Sequence, residues 1–536
     1  MTVCDDPPAI TRSEVERMLA ALLDPACYPH PVQRFDVLET HISWVILTGD
    51  YAYKIKKPVN LGFLDFTSLA SRRHYCEEEL RLNRRLAPGI YLDTVAITGD
   101  PARPRIGGAG PAIEYAVKMS EFPQSSLLDA ALARGEVNAT VITALAHKIA
   151  AFHATASSAA STPGVDAATL VLAPALENFR QMLPLLDAPE DVEILVRLRE
   201  WTLSEHERSA SLLCKRLAEC RVRECHGDLH LGNIVLLEGK ATPFDCIEFN
   251  PALRWMDVIS EVAFLMMDLE AHGRRDLAYV FLNTYLEDTG DYSGVAVLPF
   301  YRVYRAVVRA KISLLRAAQA GATPEHRASA LAAFKRYLTL ATDYIRPRRG
   351  ALIITHGLSG SGKTSLTTPI ISALGAVRIR SDVERKRLHG VDALAHSLSM
   401  MGTGIYNDNA SARTYDELAR HGNNVAGAGF PAIIDATFLK RRQRETFRAL
   451  AHELAVPFVL VSVTAAHELL RSRISARGER GGDASEATLA VLDAQIEAHE
   501  PLSADERRDT IEVDTGSIPD GDAQALCKAL AERVLQ

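Results

Sequence analysis

Gly357-Leu358-Ser359-Gly360-Ser361-Gly362-Lys363-Thr364-Ser365 decides how the second half of this chain is read. Gly357, Gly360 and Gly362 let backbone amides close around an anion, and a helix amino terminus behind them adds partial positive charge. In such a phosphate cradle Lys363 reaches the β and γ phosphates, Thr364 ligates magnesium, and Ser359, Ser361 and Ser365 complete the nucleotide-binding stretch. The mechanism requires a strand before the loop and a helix after it. Ala351 to Thr355 supplies the apolar strand, and a helical stretch follows, although Pro369 within it removes one backbone hydrogen bond. Further strands are expected at Val377 to Arg380, Ala432 to Asp435 and Phe458 to Val463, with helical segments between them. This alternation predicts a parallel α/β sheet.

Two carboxylates end strands of that sheet. Asp382, in Arg378-Ile379-Arg380-Ser381-Asp382, is suited to take a proton from an acceptor hydroxyl, and Arg385 and Arg387 beside it suit anionic groups; capping the next helix is its bland alternative. Asp435 stands where an acid holding magnesium or its water belongs, with the same alternative. Arg471, Arg473, Arg477 and Arg480 precede Gly481-Gly482-Asp483, as in a lid that brings cations over phosphoryl oxygens, with Arg473 and Arg477 the leading candidates. The P-loop, the Arg-Ser-Asp-x-x-Arg stretch, Ile434-Asp435-Ala436-Thr437-Phe438 and the Asp-Ala-Ser-Glu-Ala segment at 483–487 resemble the small P-loop kinases of the gluconate kinase, polynucleotide kinase and zeta toxin types. That resemblance implies phosphoryl transfer from ATP to a hydroxyl and leaves the acceptor open.

Upstream, the basic segment Arg346-Pro347-Arg348-Arg349-Gly350 reads as an inter-domain boundary. The composition before it is Ala- and Leu-rich and helical back to Ser125, broken only around residues 221 to 250. There, His226-Gly227-Asp228-Leu229-His230-Leu231-Gly232-Asn233 sets a carboxylate five residues before an amide. In that arrangement Asp228 accepts the substrate hydroxyl proton and Asn233 binds magnesium; Asp245, after Phe244, is the second magnesium-binding acid. Cys220, Cys225, His226 and His230 have a spacing that could be taken for zinc, but one loop cannot readily serve both needs, and the cysteines read as buried thiols.

Such a loop requires a lysine and a helix glutamate from a β-rich lobe. Short β-type runs at Ile42 to Leu47 and Tyr51 to Lys56, joined through Gly49-Asp50, predict a hairpin. Lys54 and Lys56 lie two apart on it, hence on one face; Lys54 is the preferred phosphate ligand and Lys56 its rival. Residues Ser71 to Leu86 read as a helix in which Glu79 best fits an inward site. Further strands are expected at Thr94 to Thr98 and Ile113 to Met119.

The His-Gly-Asp-x-His-x-x-Asn motif is similar to that of aminoglycoside phosphotransferases and related choline, homoserine and sugar kinases. Tyr53-Lys-Ile-Lys-Lys-Pro-Val59, Gly62-Phe-Leu-Asp-Phe66 and Glu79-Leu-Arg-Leu-Asn-Arg-Arg-Leu-Ala-Pro88 further resemble a bacterial two-domain family. Its members join an aminoglycoside phosphotransferase-like domain to a P-loop kinase domain. The resemblance implies an α+β bilobal protein-kinase-like domain over residues 1–345 (small lobe about 30–122, large lobe about 123–345), then an α/β P-loop domain with a parallel sheet over 346–536. One departure stands out: such enzymes commonly carry Asp where this chain has Glu261, which leaves support of the Asp228 loop to a longer side chain.

The implied function is a bifunctional ATP-dependent, magnesium-using phosphotransferase, each half acting on a hydroxyl of a small molecule such as a sugar, amino alcohol or aminoglycoside. A nucleotide-dependent regulatory P-loop module and a nucleic-acid-end kinase are the alternatives. A polycationic acceptor would need acids such as Glu261, Asp268, Glu270, Glu287, Asp288 and Asp291. The chain has 536 residues, 60 Lys plus Arg against 67 Asp plus Glu, and 47% apolar residues. These values fit at least two globular domains and disfavour nucleic acid as a partner. With no apolar run near the roughly 20 residues of a membrane span, and eight scattered cysteines, a cytoplasmic, reduced protein is expected.

Overall fold

The computed structural model describes residues 12–62, 64–159, 167–319, 321–392, 407–480, 485–516 and 523–534. Contacts divide the chain into two compact units. The first comprises Met1–Leu145, Ala151–Asp166 and Lys215–Glu261; the second comprises Ala146–Ala150, Ala167–Cys214 and Val262–Gln536.

The first unit is built on a six-stranded antiparallel sheet. Its strands are β1 (Asp36–Glu39), β2 (Ser43–Leu47), β3 (Tyr51–Lys56), β4 (Tyr91–Asp100), β5 (Arg103–Ile106) and β6 (Ala112–Ser120), in the order β1-β2-β3-β6-β4-β5. The β2–β3 hairpin expected from Gly49-Asp50 is present, and Gly49 takes φ +106°, a value that side-chain-bearing residues rarely adopt. Alternation along β3 sorts its residues. Tyr53 and Ile55 pack on one face with Met18, Leu22 and Tyr28. Ala52 packs on the other with Cys76 and Tyr91, beneath the helix Leu69–Asn83, and Lys54 and Lys56 share that face.

That helix begins at Ser68, whose hydroxyl accepts the Ser71 amide at 3.0 Å. Its buried stripe is Arg72, Cys76, Glu79, Leu82 and Asn83, helical in period but mostly polar. Arg72 is satisfied by Glu114 of β6 at 2.8 Å, so burying the charge does not leave it unpaired. Two short ribbons, β7 (Val222–Glu224) with β10 (Trp255–Asp257) and β8 (Ile234–Leu237) with β9 (Lys240–Pro243), hold the loops 225–233 and 244–254.

In the second unit, the helices Ala167–Met182, Leu298–Ala317 and Pro324–Tyr344 share an apolar core with Leu195, Leu198, Phe264 and Met267. The unit continues into a five-stranded sheet. Its strands are β11 (Ala351–His356), β12 (Val377–Arg380), β13 (Pro431–Asp435), β14 (Phe458–Thr464) and β15 (Thr510–Asp514), in the order β12-β13-β11-β14-β15. All of its pairings are parallel. Every residue of β11 is buried, as expected where helices cover both faces. The chain leaves β11 toward one edge and later toward the other, so the carboxyl end of β11 lies at a switch point of the sheet, where α/β folds bind ligands. The phosphate-cradle sequence occupies that point. β15, which the sequence reading did not anticipate, closes the far edge.

Candidate active sites

In the first unit, five alternating charges run as one chain. Lys54 Nζ lies 2.6 Å from Asp245 Oδ1 and 2.7 Å from Glu79 Oε1. Lys56 Nζ meets the other oxygen of Glu79 at 2.7 Å and also pairs with Glu248. The two lysines do share one face, and the single carboxylate of Glu79 bridges them. They differ in what lies beyond: Lys56 is 0% exposed and ends on buried Glu248, whereas Lys54 ends on Asp245, which is 41% exposed. Although burial opposes it, Asp245 and Glu79 hold the Lys54 ammonium well above its ordinary range. Burial likewise works against Glu79, yet Lys54 and Lys56 bring its carboxyl down to about 2.

The loop 226–233 is held from behind. Glu261 Oε1 accepts the amides of His226 at 2.7 Å and Gly227 at 2.8 Å, while Oε2 faces His153 Nε2 at 2.7 Å. Burial would raise the Glu261 carboxyl, but His153, the nearby His226 and the Gly227 amide carry it to about 2. The extra methylene relative to Asp therefore does not cost the loop its support. Gly227, at φ +94°, sits where a Cβ would press within 3.1 Å of the Leu253 carbonyl. His226 Nε2 lies 2.8 Å from the Phe244 carbonyl, an acceptor, which assigns the ring proton to Nε2. Burial pushes the His226 pKa down, keeping the ring a neutral strut between the two loops.

Asn233 Nδ2 donates to Asp228 Oδ2 at 2.9 Å and to the Asp228 carbonyl at 3.0 Å, so the carboxylate and the amide five residues apart do converge. Asp245 has φ +64°, unusual for a residue with a side chain, and its amide donates to Tyr91 Oη at 3.1 Å. Oxygen-rich side chains at Asn233 and Asp245 fit a hard divalent cation such as magnesium. Among the described residues, His153, Cys225 and Glu261 could in principle gather a metal, but both Glu261 oxygens are already engaged by the loop and His153. Cys225 and Cys246 are buried thiols, and Cys220 is partly buried.

In the second unit, Gly357, Gly360 and Gly362 all have positive φ, at 140°, 83° and 90°. A Cβ on Gly357 would come 2.2 Å from the Val463 carbonyl, so this position admits only glycine. Lys363 Nζ donates to the carbonyls of Gly357 at 3.0 Å and Leu358 at 2.8 Å. Burial and the Arg477 charge lower its pKa to about 8, although Asp435 and Asp382 act in the opposite direction. Thr364 Oγ1 donates to Asp435 Oδ2 at 2.8 Å, joining the two residues proposed to hold magnesium; a hydroxyl and a carboxylate fit that cation. Ser361 is buried, and Ser365 is exposed on the helix Lys363–Leu374, which contains Pro369. Asp382 sits in the first turn of the helix Ser381–Leu388 and, with Asp435, acts electrostatically on Lys363.

The two lid candidates separate. Arg473 is committed to the cradle itself: it donates to Thr515 Oγ1 at 2.8 Å and to the Thr515 carbonyl at 3.0 Å, while Thr515 Oγ1 donates to the Ser361 carbonyl at 2.8 Å. Arg477 is the one whose charge reaches Lys363. Gly481, Gly482 and Asp483 lie outside the described residues. Thr515, and Gln495, whose Oε1 accepts the Ser359 amide at 2.8 Å, were missed by sequence reasoning, as were Glu248 and His153. None of the four lies in a spaced motif, and only folding brings them to the loops.

The acids considered for a polycationic acceptor are engaged elsewhere. Asp268 accepts from Tyr337 at 2.7 Å, Glu270 meets Arg302 and Tyr344, Asp288 faces His147 at 2.6 Å, and Asp291 accepts from Ser293 at 3.3 Å. Glu287 pairs with Arg378 at 3.2 Å, and Glu261 braces the 226–233 loop. Three arginines that a nucleic-acid end could otherwise use are also paired: Arg387 with Glu384, Arg441 with Glu445 at 2.7 Å, and Arg444 with Glu506 at 2.6 Å.

These sheets and loops define a protein-kinase-like bilobal fold joined to a P-loop nucleotide-binding fold in one chain. Residues 352–502 match the profile of a family described as an AAA domain. Uncharacterized proteins of Mycobacterium tuberculosis and Mycobacterium bovis are 30% identical over 475 residues, which cover 88% of this chain and 93% of each relative. The chain belongs to their family, the bacterial two-domain family whose motifs it carries. Among solved structures, an amicoumacin kinase in complex with AMP-PNP is similar over 62% of this chain and 97% of its own, at 14% identity and TM-score 0.37. A gluconokinase from Sinorhizobium meliloti is similar over 35% of this chain and 96% of its own, at 22% identity and TM-score 0.25.

Proposed function

We propose that this protein is a bifunctional ATP-dependent kinase with one phosphotransfer site in each half, divided near residue 345. The observation that carries the reading is a repeated chemistry. Each half has a partly buried lysine under the charge of an acid suited to magnesium, Lys54 with Asp245 and Lys363 with Asp435, and a second carboxylate suited to a hydroxyl proton.

In the first site Asp228 accepts the proton of an acceptor hydroxyl as its oxygen attacks the γ-phosphorus. The bond from that phosphorus to the β-γ bridging oxygen breaks, and ADP carries away the electron pair. Lys54 holds the α and β phosphates, Glu79 aims Lys54, and Asn233 and Asp245 are the magnesium ligands. In the second site Asp382 takes the hydroxyl proton, and the Gly357–Ser365 cradle with Lys363 binds the phosphates. Arg477 neutralises phosphoryl oxygens as charge develops, while Arg473 keeps the cradle in shape through Thr515. Thr364 and Asp435 are the magnesium ligands there. In both sites magnesium, when bound, screens the phosphate charge.

The acceptor is a small hydroxyl compound without dense positive charge, because the acids of the helical region already have partners. Pairing of the arginines with glutamates likewise argues against a nucleic-acid end. Nucleotide stoichiometry tests the reading: calorimetry on the full chain should find two ATP sites, with Lys54→Met weakening one and Lys363→Ala the other. A single site affected by both variants would reject it.

A further inference from the structure

β12 is an edge strand of the parallel sheet, and an edge normally leaves a row of backbone groups unpaired. Here the side chain of Asn283, on the helix Arg275–Thr289, takes the place of a neighbouring strand. Asn283 Nδ2 donates to the Ala376 carbonyl at 3.0 Å, and Asn283 Oδ1 accepts the Arg378 amide at 2.7 Å. All of these residues belong to the second unit. The fit is close: at Gly375, φ +66°, a Cβ would meet Arg275 Nη2 at 2.3 Å and the Tyr279 ring at 2.9 Å. The helix therefore has a seat specific to this edge.

One turn beyond Asn283, Glu287 reaches two arginines of the same strand, Arg378 Nη2 at 3.2 Å and Arg380 Nη1 at 3.7 Å. The opposite side of the Arg378 guanidinium donates to the Thr364 carbonyl at 3.2 Å and to the hydroxyls of Thr367 at 3.3 Å and Thr368 at 3.1 Å. Arg378 thus links Glu287 to the first turn of the P-loop helix, where Thr364 Oγ1 faces Asp435. Arg380 lies two residues before Asp382. Both guanidiniums are largely buried, 10% and 17% exposed, so solvent screens their contacts with the Glu287 carboxylate weakly.

We propose that Glu287 is a positioning residue of the P-loop site: through Arg378 it sets the turn carrying Thr364, and through Arg380 the strand end that leads into the helix turn carrying Asp382. The P-loop site then depends on the helix Arg275–Thr289, which lies before the 346–350 segment and outside every phosphate-binding motif. This rests on the reading of Gly357–Ser365 as a magnesium-nucleotide site.

The test uses the full chain carrying Lys54→Met and Asp245→Asn to weaken the first site, with ATP as the probe. ATP affinity is measured by calorimetry with and without Mg2+. Glu287→Gln should leave magnesium-free affinity within about twofold and reduce the Mg2+-dependent gain about tenfold, whereas Glu287→Asp, which keeps the charge, should recover most of that gain. An unchanged gain in Glu287→Gln would overturn the proposal. So would an equal loss with and without Mg2+, or a loss that Glu287→Asp does not relieve. Lys363→Ala is the separate control: if it binds ATP as well as its parent, the P-loop reading fails, independently of Glu287.

Discussion

Glu261 Oε1 accepts the Gly227 amide at 2.8 Å, so a helix side chain fixes the backbone next to Asp228. Glu261→Gln keeps the size but replaces one oxygen with a donor, setting an amide against either His153 or the two loop amides. A mismatch at such buried groups costs about 1–3 kcal/mol, to be read from denaturant unfolding. The wild-type carboxyl titrates near 2 when folded against 4.5 ordinarily, so its contribution is present above about pH 4.5 and is lost as pH falls toward 2. Glu261→Gln should flatten the stability curve in that window.

Lys54 and Lys56 should separate by experiment. Lys56→Met leaves Glu248 buried without its cation, and breaking a buried pair costs about 3–5 kcal/mol. Lys54→Met leaves partly exposed Asp245 with access to water and costs less stability. It should nevertheless cause the greater loss of ATP affinity at the first site. Equal losses of stability and of affinity in the two variants would contradict these assignments.

ATP binding at the P-loop site should depend on pH through Lys363. Its pKa near 8 means that part of the population is neutral at mildly alkaline pH, whereas phosphate binding favours the ammonium. Affinity should be flat below about pH 7 and fall by up to tenfold per unit above 8, as the site must take up one proton to bind. Calorimetry in buffers of different ionisation enthalpy would register that uptake.

The motifs were legible because each compresses its chemistry into a few residues. Gly357 to Thr364 and His226 to Asn233 announce themselves, and the strands Tyr51–Lys56 and Val377–Arg380 have the expected bounds. Glu79 was legible once a lysine-bearing strand was found, though Lys56 appeared only as a rival to Lys54, because nothing in the spacing shows that Glu248 waits on its far side. The helix Leu69–Asn83 buries Arg72, Glu79 and Asn83, so an apolar stripe could not flag its inner face. Pairings over long separations had no local signature: Glu261 with Gly227, Asn283 with β12 and Thr515 with Ser361 depend on side chains meeting after the fold closes. β15 is short and half exposed, too weakly patterned to separate from a loop.

Two independent phosphotransfer sites can be told apart in a small-metabolite extract incubated with γ-labelled ATP. Wild type, Asp228→Asn and Asp382→Asn full-length proteins are compared for labelled products. Each variant should lose a product the other retains, with ATP binding preserved in both. Loss of the same product in both variants, or its persistence in both, would contradict two independent sites.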